Sequence, residues 1–160
     1  MRGGSLPPAL LCAALAFALA FAPRRVIAPS LVALTAAAAL TSLLPIGLAW
    51  REHVFIACWA GVVFIAALVH LPAGVGERQA PILGAVAGIL CGAVVEVAGT
   101  PGDLLKALPF VLLVLPARWL VATKRQIAVK VAASWLIAVA ILAAALPIEP
   151  TPGYEPDHME

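Results

Sequence analysis

Apolar residues occur in this chain as long blocks, and the residues between the blocks are the ones that make turns. Six blocks stand out: Leu6 to Ala22, Val26 to Trp50, Val54 to Leu71, Ile82 to Ala98, Leu104 to Val121, and roughly Ile127 to Leu146. The separators are Pro23-Arg24-Arg25, Arg51-Glu52-His53, the loop from Pro72 to Pro81, Gly99-Thr100-Pro101-Gly102-Asp103, and Thr123-Lys124-Arg125-Gln126. Proline, glycine and charge mark turns. The blocks have the length of bilayer-crossing helices, ~20 residues each. Barrel strands would alternate apolar and polar positions. Runs such as Leu31 to Leu40 and Leu136 to Leu146 do not.

Two blocks carry complications. The first resembles a signal peptide, with Arg2 ahead of an apolar centre and Ala20-Phe21-Ala22 as a small-residue site. Pro23 directly after that site fits cleavage poorly, so the block reads as a retained first span. The fifth contains Lys106 and Arg118 and is interrupted by Pro109 and Pro116. It is either a kinked full span whose charged ends snorkel or a re-entrant or interfacial segment. The expected fold is therefore an all-α polytopic transmembrane helix bundle of five or six spans. It occupies residues 1–146, with the fourth block packed centrally. Residues 147–160 form an acidic, proline-rich tail of extended or disordered chain.

Composition agrees with this reading. The 160 residues are 64% hydrophobic and 11% charged, against about 25% charged in a soluble domain. Net charge is only +2, and no basic run exceeds two residues. No aromatics are interleaved with basic side chains, so nucleic acid is not an expected partner. Cys12, Cys58 and Cys91 lie inside apolar blocks without metal-ligand spacing. They read as buried small apolar residues and give no disulfide framework.

Lysine- and arginine-rich loops face the cytoplasm. With six spans, Arg24, Arg25, Arg78, Arg118, Lys124, Arg125 and Lys130 share one face, against Arg2, Arg51 and Lys106 on the other. Both termini then lie outside. With five spans the N-terminus moves inside. The tail stays opposite Lys124-Arg125, and hence outside, in both cases.

Gly84, Gly88 and Gly92 form G-x-x-x-G-x-x-x-G on the fourth block. Spacing of four puts them on one helix face, where a partner backbone can come close. That partner is another span, a different membrane protein, or a second copy. Glu96 continues the spacing, so it is expected to point toward protein more than lipid. A carboxylate inside a span is costly and suggests an ion or proton site. The plainer alternative is a helix-end residue that reaches the interface or pairs with Lys106. Arg51, Glu52, His53 and Asp103 share that membrane face and form a candidate charged mouth, or ordinary headgroup-level turns. His70 lies at the opposite end, and no second histidine sits at matching depth for haem. Trp50 and Trp119 fit an aromatic belt, whereas Trp59 and Trp135 read as packing residues. Arg118, Lys124, Arg125 and Lys130 are candidate contacts for anionic headgroups.

No nucleophile elbow, zinc motif, P-loop or dinucleotide fingerprint is present. The expectation is a non-enzyme with no cofactor and no metal. Its partners are the lipid bilayer and a membrane-protein partner or further copies of the chain. Ala-, Leu-, Val- and Pro-rich usage with arginine suggests a bacterial inner membrane. Two functions fit: an accessory or structural subunit of a transport-type membrane complex, or a small homo-oligomeric transporter or channel with Glu96 as its coupling carboxylate.

Overall fold

A computed structural model describes residues 6–72 and 74–145. The tail, residues 147–160, lies outside them. Helices α1 (Leu6–Ala20), α2 (Arg24–Thr41), α3 (Arg51–Leu68) and α4 (Gln79–Ala98) are followed by α5 (Pro101–Ala107). A 3-10 segment, Leu108–Leu113, joins α5 to α6 (Val114–Ala122), and α7 (Gln126–Ala145) completes the bundle. Among the described residues there is no strand. Five stretches are long and apolar enough to cross a membrane: α2, α3, α4, the continuous segment from Gly102 to Ala122, and α7. Together with the shorter apolar α1, they suggest a membrane protein.

The middle of the bundle is α1. Its sequence is Leu, Ala, Pro, Phe and Cys with no polar stripe, and a helix apolar all round is stable only when covered on all sides. Twelve of its fifteen residues are buried, with Leu11, Leu15 and Leu19 fully enclosed. Helices α3, α4, α6 and the 3-10 segment pack around it. Fifteen residues make a helix of about 22 Å, shorter than a ~30 Å hydrocarbon layer. Pro7 and Pro8 sit in its first turn, where missing amide hydrogens cost nothing.

The central position expected for the fourth block therefore belongs to α1. Helix α4 lies between α1 and α3 on one side and the peripheral α2 on the other. The outer helices touch the bundle along narrow stripes. Val26, Ser30, Leu34, Ala38 and Thr41 are the buried residues of α2, and Val129, Ala133, Leu136 and Ala140 are those of α7. Steps of three and four residues keep each set on one face.

Two boundaries differ from the sequence reading. The second block does not run to Trp50. Helix α2 ends at Thr41, and a loop through Pro45 leads to a 3-10 turn at Leu48–Trp50. Arg51-Glu52-His53 is therefore the first turn of α3 rather than a connection, with Glu52 at its positive end. The fifth block is one continuous kinked helix. Pro109 and Pro116 each remove an amide donor, and the chain tightens to 3-10 geometry from Leu108 to Leu113 instead of turning back.

Enclosure of α1 implies an unequal response to truncation. Leu15→Ala is expected to lower stability by roughly 2–5 kcal/mol through lost contacts and a cavity. Leu142→Ala, at a side chain 64% exposed on α7, is expected to change stability little. Reversible unfolding in mixed detergent micelles, followed by far-UV circular dichroism, measures both.

Candidate functional site

The closest helix–helix approach is between α2 and α4. A Cβ on Gly84 would run into the Ser30 carbonyl, one on Gly88 into the Leu34 carbonyl, and one on Gly92 would lie 2.5 Å from the Ala38 carbonyl oxygen. The contact advances by four residues on both helices in the same direction, so α2 and α4 are parallel. All three glycines are buried. The face that could have received a second copy is covered by this chain's own α2. Of the small patch from Ala36 to Ala39, Ala37 and Ala38 take part in the seam, while Ala36 and Ala39 are exposed. Ser30 was not singled out by sequence. Its hydroxyl is buried and donates to the Val26 carbonyl at 2.6 Å, which leaves its own carbonyl against Gly84. Steps of four from Val26 through Ser30 and Leu34 to Ala38 match the glycine spacing and were the available signal.

Glu96 does not continue this face. It is exposed, while Gly84, Gly88 and Gly92 are buried. Each four-residue step turns about 40° past a full circle at 3.6 residues per turn, so Glu96 is about 120° around the helix from Gly84. Helix α2 has also ended at the level of Gly92, which meets Thr41 and Ser42. Glu96 stands one turn beyond that. Among the described residues it has no ion-pair partner. Lys106 instead approaches Asp103 at 3.3 Å.

Asp103 starts α5. Its Oδ2 accepts from the Thr100 amide at 2.9 Å and from the Thr100 hydroxyl at 3.1 Å. Chain topology puts Arg51, Glu52 and His53 at this same end. The His53 ring lies 5.7 Å from that of Trp50. All three side chains are exposed. The arrangement is a rim of separate charges.

The opposite end gathers the turns after α1, α3 and α6. Arg25 pairs with Glu77, and Arg118 Nη1 donates to the Ala22 carbonyl at 2.8 Å, closing the end of α1. His70 Nε2 lies 3.2 Å from the Ser134 hydroxyl. Trp119 is 60% exposed near this end. Trp59 is buried on α3, but Trp135, expected to pack, is 63% exposed on the outside of α7.

The three cysteines meet. Cys12, Cys58 and Cys91 come from α1, α3 and α4, and all are fully buried. Cys12 neighbours both of the others, and Cys91 Sγ lies 3.7 Å from the Pro8 carbonyl oxygen. Sequence spacing could not show this convergence. Among the described residues no group of three or more His, Cys, Asp or Glu is placed to hold a metal. A shallow apolar hollow of about 350 Å³ lies outside the kink, lined by Pro109, Phe110, Leu112 and Leu113. Compared with known proteins, the chain matches no family model, no curated protein and no solved structure.

The seam yields a graded expectation. Gly88→Ala drives a methyl into the Leu34 backbone and is expected to cost about 1–3 kcal/mol by overpacking. Gly88→Leu should detach α2. At Gly61 the nearest obstacle is the flexible end of Leu90, 2.7 Å from the added Cβ, so Gly61→Ala should be the milder change. Cysteine cross-linking between the exposed ends of α2 and α4, at Arg24 and Arg78, reads the docking.

Proposed function

We propose that this chain is a multi-pass membrane protein serving as a non-catalytic accessory or structural subunit of a larger, transport-type membrane complex. The observation that carries this reading is the interior. Among the described residues the only buried polar side chains are Ser30 and Thr41, at the α2–α4 seam. Everything else enclosed is Leu, Val, Ile, Ala, Pro, Gly, Cys or Trp. A conduit for ions or protons needs polar or ionisable groups lining a path, and the described core, mostly alanine, valine and leucine, supplies none. Glu96, on the outside, could act in a conduit only between copies.

Six antiparallel passes and the positive-inside bias support an orientation with the Arg25 and Lys124 end in the cytoplasm and both termini outside. Composition favours a bacterial inner membrane. The tail from Pro147 to Glu160 carries Tyr154 and four acids among prolines, a composition suited to docking on a partner's extracytoplasmic surface.

Purification in mild detergent through a C-terminal tag, followed by native mass measurement, tests the reading. The expected product holds a stoichiometric foreign membrane protein, and Glu96→Gln leaves that association unchanged. A clean homo-oligomer whose proteoliposome ion flux is lost in Glu96→Gln would replace this reading with the homo-oligomeric transporter.

A further inference from the structure

We propose that the cationic end of the bundle is a docking surface for anionic phospholipid headgroups, which it grips through their phosphates. The proposal rests on the reading that these helices cross a bilayer, and not on the subunit role. Seven of the chain's ten lysines and arginines lie at this end, with Glu77 as the one acid among them. Two of the seven are engaged within the protein, Arg25 with Glu77 and Arg118 with the Ala22 carbonyl. The other five, Arg24, Arg78, Lys124, Arg125 and Lys130, have no hydrogen-bond or ion-pair partner among the described residues. Among the described residues of the opposite end, Glu52, Glu96 and Asp103 outnumber Arg51 and Lys106, so the charge is concentrated rather than spread.

Backbone conformation gives a separate reason to single out Lys124. Helix α6 ends with the Arg125 amide donating to the Leu120 carbonyl at 2.8 Å and the Lys124 amide to the Val121 carbonyl at 3.1 Å. This closure places its final residue in the left-handed region and normally uses glycine there. Lys124 occupies that position at φ +61°, a conformation that costs an L-residue free energy. The strain keeps an exposed side chain at the tip of a turn, and strain of this kind accumulates where a residue is used.

Ser134 is level with His70, which follows the end of α3. The eight-residue step from Ser134 back to Gln126 therefore places the start of α7 about 12 Å beyond that level. Lys130 lies on this stretch and Arg125 just ahead of it, and exposed Trp119 lies near it, as interfacial tryptophan does. The first turns of α2, α4 and α7 carry no acid, and Glu77, just ahead of α4, is taken up by Arg25. Guanidinium forks suit phosphate oxygens, and each cation near an anionic leaflet adds to the attraction.

The test uses the full chain in mild detergent with phosphatidylglycerol or phosphatidylcholine added at equal concentration, and native mass spectrometry counts retained lipid. Wild type should retain phosphatidylglycerol preferentially. Arg24→Gln/Arg78→Gln/Lys124→Gln/Arg125→Gln should lose that preference, on the order of fivefold per cation removed, and Arg51→Gln/Lys106→Gln should keep it. If the quadruple variant does not fold, Lys124→Gly alone decides: it removes a charge while relaxing the backbone, so lipid-free stability should rise as the preference falls. Equal retention of both lipids by wild type overturns the proposal. So does full preference in the variants, or displacement of the lipid by millimolar inorganic phosphate. An acidic protein bound stoichiometrically to wild type in place of lipid, and lost from the quadruple variant, would also overturn it. Alkaline carbonate extraction of the membranes separates a failure of the membrane reading from a failure of this one.

Discussion

Helix α1 has no side that water or a polar neighbour would accept, and its fifteen residues are short for a bilayer. Both features are relieved by enclosure. A helix wrapped by α3, α4, α6 and the 3-10 segment need not match the hydrocarbon thickness, because protein rather than lipid covers its flanks. Its alanines let those neighbours come close, and its leucines fill the space between them. The kink in the fifth segment follows from the same demand. Leu108–Leu113 tightens beside α1 and continues into α6, which places Arg118 where it can close the last carbonyls of α1.

In a bilayer, helices gain little from burying apolar surface, since lipid tails are equally apolar. Association then depends on close packing and on backbone contact. Helix α2 illustrates this. It is exposed on every face except one stripe, and α4 is its one substantial neighbour. What holds it there is the absence of three side chains. Gly84, Gly88 and Gly92 let the α4 backbone rest on successive α2 carbonyls, a fit in which each added methyl meets a rigid obstacle. Ser30 makes the seam compatible with burial by satisfying its hydroxyl within its own helix.

What was legible in the sequence was what depends on local pattern. The apolar blocks marked the helices to within a few residues, except that α2 stops at Thr41, nine residues short of Trp50, and the glycine spacing marked the packing face of α4. Geometry accumulated over several turns was not legible. Glu96 shares a spacing with Gly92 but drifts off the face, because 3.6 does not divide four evenly and because α2 stops first. The start of α3 at Arg51 was hidden because charged residues serve equally as turns and as first helical turns. The burial of Trp59 and the exposure of Trp135 depend on which stripe faces the bundle, which an all-apolar helix does not announce. The meeting of Cys12, Cys58 and Cys91 is tertiary, and no spacing along the chain encodes it.

These constraints together direct attention outward. Among the described residues the core holds only Ser30 and Thr41 as buried polar side chains, so the charged groups of the chain stand on its surfaces. Its lateral surface is apolar and suited to lipid or to other spans. Its two ends are polar and unlike each other: one a rim of mixed charges with an internal Asp103–Lys106 pair, the other strongly cationic with most of its charge unanswered by the protein. A helix terminus gains from a nearby charge of the opposite sign, yet α2 and α4 begin beside arginines and α7 beside Arg125. Folding alone gives no reason to collect cations at the positive ends of three helices. An external anion would, and this is the ground for proposing a lipid phosphate there.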